Sequence, residues 1–215
     1  MKKLLLATAA AGVCGLFATT ASAHNTLTNM EGYAGYVTDF EMRVTHGCKG
    51  SSPVKEVRVK IPEGLTRISV GANRDWKVET KMRKLDKPVP GEGGNMITEV
   101  IDEITWKDPV SPIPAGGVFE GFKFRAALPK VADKIIFFRT INVCETGDDK
   151  YVDLPKEELN VSDPDFPKKL MGFMAATPGP SPFLITRKAP KPQYPWEAAE
   201  PAKAEMTTQQ KASAN

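Results

Sequence analysis

Histidine is nearly missing from this 215-residue chain, which has only His24 and His46. A site needing three imidazoles is therefore excluded. Cysteine is scarce too: there are three, and none stands in a Cys-x-x-Cys pair. The formal charge of +3 comes without a basic cluster, which gives no electrostatic case for a nucleic-acid partner. No Gly-x-Ser-x-Gly elbow, no repeat of fixed period and no long stretch of helical periodicity occurs. Paired carboxylates lack any context that would mark a hydrolase. What the chain does have is 41% hydrophobic and 26% charged residues, with 18 Pro and 17 Gly. That is too apolar and too balanced in charge for a disordered chain, and enough to bury one good core. It is too short for two full-sized domains, though not for one domain and a tail.

The first 23 residues read as a secretory signal peptide. Met1-Lys2-Lys3 is basic, Leu4 to Thr19 is small and apolar, and Ala21-Ser22-Ala23 is a small-x-small cleavage signal. The apolar run is too short and too rich in Ala and Gly for a stable membrane span. Val13 before Cys14 is a poor fit to a lipidation box. Cleavage after Ala23 would make His24 the first residue, lower the formal charge to about +1 through loss of Lys2 and Lys3, and remove Cys14. The expected location is the periplasm.

Cys48 and Cys144 then remain, in an oxidising compartment. Two cysteines in an exported protein are read first as a disulfide. Closing so long a loop constrains the unfolded chain by roughly 4–5 kcal/mol in the loop-entropy model. A thiolate pair for a soft metal such as Cu(I) is the other reading.

Alternation of apolar and polar residues predicts strands over 38–45, 54–61, 76–81, 100–107 and 122–126. Ile135–Val143 opens with four apolar residues, Ile135-Ile136-Phe137-Phe138, as a central strand would. Phe183–Thr186 is a candidate last strand, and Pro167–Ala175 is the best helix candidate. Turn signals such as Pro62-Glu63-Gly64, Pro90-Gly91-Glu92-Gly93-Gly94 and Thr146-Gly147-Asp148-Asp149 separate the runs. The expected architecture is an all-β antiparallel sandwich over residues 24–188. From Ala189 the composition turns to Pro, Ala, Lys, Glu and Gln, so 189–215 reads as a disordered tail. Trp196 within it is a docking point at most.

A leading histidine has a property that an internal one lacks. Its α-amine and its ring Nδ1 close a six-membered chelate on one metal ion. The amine has a pKa near 8, so a metal displaces its proton at modest cost. Two such nitrogens suit Cu(II), which favours tetragonal N,O sites. Glu31 is the nearest carboxylate and would reach the amine if the chain after Thr28 bends back. Asp39 and Glu41 lie on an outward strand face, where charges are normally solvated. His46, in His46-Gly47-Cys48-Lys49-Gly50, is either a strand-end residue packed beside the disulfide or a second imidazole on the ion.

The ordered set His24-x6-Glu31, Gly35, Val44-Thr45-His46-Gly47-Cys48-x-Gly50-Ser51, Trp76-Lys77-Val78-Glu79, Ile104-Thr105-Trp106, Phe119 to Phe124 and Val143-Cys144 resembles the YcnI-like family of exported bacterial proteins. The resemblance covers about His24 to Thr186. It implies an immunoglobulin- or cupredoxin-like β-sandwich that binds Cu(II) through a single-histidine brace. In that family the leading histidine gives amine and ring nitrogen, a glutamate matching Glu31 gives oxygen, and a tryptophan lies beside the metal. In this chain Tyr151 falls near the tryptophan position, while Trp76 and Trp106 match core tryptophans. The resemblance also implies copper-handling neighbours, and so a periplasmic or membrane partner that gives or takes the ion.

The sequence reading is therefore a copper-binding module rather than an enzyme, for trafficking, buffering or handover. An oxidative copper enzyme would need His46 on the same ion and an open position for oxygen. A structural envelope protein would carry His24 incidentally. Met171 and Met174 have the softness for Cu(I), but near a helix they read as packing residues.

Overall fold

The computed structural model describes residues 24–48, 52–91, 94–116 and 118–195. The expected leader, and Trp196 with the rest of the expected tail after Pro195, lie outside the described residues. Twelve strands and one helix follow in the order β1 (Thr26–Leu27), β2 (Glu31–Tyr33), β3 (Val37–Val44), β4 (Val54–Lys60), β5 (Thr66–Val70), β6 (Lys77–Pro90), β7 (Met96–Lys107), β8 (Glu120–Ala127), β9 (Ile135–Phe137), β10 (Thr140–Cys144), β11 (Asp148–Tyr151), α1 (Phe166–Ala176) and β12 (Phe183–Arg187).

They form a sandwich. One sheet has the order β1-β3-β8-β5, the second β11-β10-β4-β7-β6, and a small third sheet β2-β12-β9. Pairing is antiparallel except between β2 and β12. Alternation explains the layering. Phe40, Met42 and Val44 of β3 and Phe122, Phe124 and Ala126 of β8 are buried, while their odd-even neighbours carry the charges. Val57, Val59, Ile104 and Trp106 supply the facing layer. Phe122 sits between the two tryptophans, edge-on to Trp76 at 5.0 Å and tilted against Trp106 at 5.1 Å. Burial of these apolar faces, at about 25 cal/mol per Å², is the main force holding the layers together.

The run Ile135–Val143 is not one central strand. It breaks at Phe138-Arg139, giving β9 to the small sheet and β10 to the five-stranded sheet. β9 is an edge strand. Its two apolar faces have two different covers. Ile136 packs into the sandwich core, whereas Ile135 joins Phe166 and Leu170 beneath α1. Phe137 stands edge-on to Phe173 of the helix at 6.0 Å. A helix lying on a sheet produces the same apolar run as a second sheet would.

The first residues of the segment expected as a tail are bonded to the domain. The Gln193 carboxamide accepts from Val37 N at 2.7 Å and donates to Val37 O at 3.0 Å, imitating a neighbouring strand. Tyr36 donates its phenol to Lys191 O. One polar side chain can thus satisfy a strand edge where composition alone suggests only solvent.

Candidate metal centre

The segment after His24 is fixed by a buried amide pair. Asn25, only 2% exposed, donates through Nδ2 to Asn142 Oδ1 at 2.8 Å, and Asn142 Nδ2 returns a bond to Asn25 Oδ1 at 3.1 Å. Asn142 lies in β10 and is itself buried. Neither carboxamide has water to fall back on, so the pair fixes both position and orientation. Next, Thr26 and Leu27 pair with Arg43 and Met42 of β3. Extending that register by two residues sets His24 against Thr45. The Thr45 hydroxyl is buried and has no hydrogen-bond partner among the described residues.

The turn carrying His46 is tied to the same strand. Cys48 and Cys144 are disulfide-bonded across 96 residues with Cα atoms 6.1 Å apart, as the sequence reading expected. Cys144 ends β10, two residues beyond Asn142. Gly47 makes the turn possible: a Cβ there would lie 2.4 Å from Ser52 O and 3.0 Å from Ala115 Cα. Gly47 N donates to Pro114 O at 2.9 Å, and Cys48 N to Ser52 O at 2.8 Å. His46 Nδ1 meets Gly47 O. A carbonyl can only accept, so Nδ1 carries the proton and Nε2 is the basic nitrogen of that ring.

Tyr151 ends β11, opposite Thr140 of β10. Its ring stands edge-on to His24 with centroids 6.1 Å apart. The strand is backed by the approach to β12. Ser181 donates to Tyr151 O at 3.2 Å, and a Cβ on Gly179 would lie 2.1 Å from Lys150 O. Burial, and then the nearby Asp149 charge, push the Tyr151 phenol up to about 12. The metal-free side chain is therefore a neutral phenol at physiological pH. Its place is that of an aromatic wall beside the histidine. Burial, and then the charge of His46, hold the His24 imidazole below the ordinary histidine range. That favours the neutral ring, which is the form that binds metals.

Glu31 is not brought to His24. From Thr26 the chain runs away from the histidine along β3: Thr28 N donates to Glu41 O, and the Asn29 side chain donates to Asp39 O. It then joins β12 as β2, with Glu31 opposite Ile185. There Arg187 donates to Glu31 Oε1 through Nε at 3.0 Å and Nη2 at 2.6 Å. The expected fold-back after Thr28 does not occur because β12 offers an open edge for pairing. Asp39 and Glu41 are engaged on the outer face, Asp39 with Arg125 at 2.8 Å and Glu41 with Arg43 at 3.2 Å. A groove of about 540 Å³ follows that face, but its charges are mutually paired.

Among the described residues no group of three or more His, Cys, Asp or Glu converges to hold a metal. A histidine brace requires none, since one of its two nitrogens comes from the backbone. In the full chain that nitrogen belongs to a peptide bond, and only trimming before His24 converts it to an amine. The donors at this corner fit such a chelate: a neutral imidazole on an anchored segment, a second imidazole with its proton held on the far nitrogen, and an aromatic wall. The sequence reading missed the Asn25–Asn142 pair. The signal was slight, two asparagines in otherwise apolar strands.

Residues 24–168 match the family described as a domain of unknown function, DUF1775. No curated protein matches the chain in sequence. A protein from Nocardia farcinica with an immunoglobulin-like fold superposes with a TM-score of 0.51 at 16% identity, covering 77% of this chain and 99% of that one. The seventh ScaB type I cohesin from Pseudobacteroides cellulosolvens gives a TM-score of 0.34 at 7% identity, covering 80% of this chain and 95% of its own. The first likeness agrees with the sandwich described above and shows the fold alone. With two thirds of its length inside the family match, the chain belongs to the DUF1775 family, the domain of YcnI-like proteins.

Proposed function

We propose that the exported, trimmed chain binds Cu(II) through the α-amine and Nδ1 of His24, and serves to buffer the ion or hand it on. One observation carries the reading. The residue next to His24 is locked by two buried amide bonds to β10, which supports counting His24 with the folded domain. Two further features support it: the family match starts at residue 24, and Tyr151, which falls near the family's tryptophan position in the resemblance, has its ring edge-on to that of His24. Nitrogen donors hold Cu(II) better than Cu(I), so reduction would loosen the ion for a partner rich in sulfur ligands. The role is binding, with no substrate turned over.

The test is calorimetric titration of Cu(II) into protein that begins at His24, beside protein with one extra residue in front. Affinity should collapse in the extended form. Equal affinity in the two forms would remove the proposal. Glu31→Gln serves as the companion variant. Because Arg187 holds that carboxylate, its paramagnetic spectrum should match that of the parent, whereas a changed spectrum would show that Glu31 leaves Arg187 to bind the ion.

A further inference from the structure

We infer that His46 is a second ligand of the same ion, binding through Nε2, so that this chain holds Cu(II) with two imidazoles and an amine. The inference rests on the copper reading above and goes beyond the single-histidine brace.

Three observations carry it. First, β10 anchors both histidine segments within three residues: Asn142 holds Asn25 beside His24, and Cys144 holds Cys48 beside His46. Cys48 Sγ also lies 3.5 Å from Asn142 O, so the two anchors touch. Second, the β1–β3 register, extended two residues beyond Thr26, runs His24 toward Thr45, the neighbour of His46. Third, the His46 tautomer is the one that a ligand needs. Its Nδ1–H is spent on Gly47 O, an outer bond of the type that orients metal-binding histidines and raises the basicity of the opposite nitrogen. Two imidazoles and an amine make a three-nitrogen set suited to the tetragonal preference of Cu(II).

The trimmed chain contains no other histidine, so counting imidazoles on the metal decides the matter. Pulsed paramagnetic resonance of the untagged, processed protein with one equivalent of Cu(II) should show the combination lines of two imidazoles. His46→Gln should reduce the pattern to one. Partners outside the coordination sphere typically carry about 10- to 100-fold in metal affinity, so the variant should lose at least about tenfold. A one-imidazole pattern in the parent overturns the inference and leaves the His24 chelate standing. That measurement needs no variant and is decisive even if His46→Gln folds poorly. Failure of the underlying reading looks different: a residue added before His24 would then leave spectrum and affinity unchanged.

Discussion

The two edges of the five-stranded sheet are built on opposite principles. At the β11–β10 edge the chain concentrates covalent and buried polar bonds: the Cys48–Cys144 disulfide, the Asn25–Asn142 pair and the buried Tyr151. At the β7–β6 edge the outer strand β6 is mostly exposed and its hairpin with β7 is laced with ion pairs, Lys81 to Glu103 at 2.6 Å and Lys107 to Glu79 at 2.8 Å among them. Exposed pairs contribute little, about 0–1 kcal/mol each. A buried amide that loses its partner costs more, about 1–3 kcal/mol. Rigidity is therefore concentrated where His24 and His46 lie, which is what a preorganised metal site requires.

The largest contrast should come from the disulfide. Cys48→Ser with Cys144→Ser removes a 96-residue crosslink without leaving a thiol to capture copper. The expected loss is roughly 4–5 kcal/mol in urea unfolding, with weaker Cu(II) binding because His46 loses its tether. A stability loss with unchanged copper binding would separate the crosslink from the site. Next comes Asn142→Ala, which strips the buried Asn25 carboxamide of both partners. A loss of about 2 kcal/mol is expected. The double variant with Asn25→Ala should lose less than the two single losses together, since it leaves no unsatisfied amide. Strict additivity in that cycle would mean that the pair does not act as a unit.

Much of this contrast was legible in the sequence, and the remainder was hidden for identifiable reasons. Alternation in Thr38–Thr45 and Val54–Ile61 located β3 and β4 to within a residue, because each strand has one face in the core. Cysteine counting found the disulfide. The outer half of β6, from Met82 to Pro90, escaped because it is largely exposed and its register slips between Lys84 and Val89. With no buried face, nothing imposes a period of two. β1 and β2 are two and three residues long, too short for any pattern. At the site, His24, His46 and Tyr151 could be named individually. Their meeting depends on Asn25 reaching Asn142, 117 residues away, and no local pattern encodes that contact. Glu31 was misplaced for the same reason, since its fate is decided by β12, whose Arg187 lies 156 residues further on.

The smallest effect should arise at the hairpin edge. Asp102 accepts bonds from Lys60 and Arg83, and Arg83 also donates to Ile61 O and Pro62 O. The Lys60 bond first, and then the Arg83 bond, hold the Asp102 carboxyl below its usual value of 3.8. The folded protein therefore binds this proton less readily than the unfolded chain. The resulting stabilisation is fully present above the ordinary carboxylate pKa and is lost as the pH falls through the lower, folded value. Asp102→Asn should cost at most about 1 kcal/mol near neutrality, since the cluster is partly solvated. Its more specific signature is a flatter decline in stability below about pH 4. Cu(II) affinity should stay at the parent value, because Asp102 sits at the Lys60 end of β4, whereas Cys144 pairs with Val54 at the other end. A shift in copper affinity in this variant would show that the two edges communicate through β4 and β7, and the division between a rigid edge carrying the proposed metal site and a permissive one would have to be redrawn.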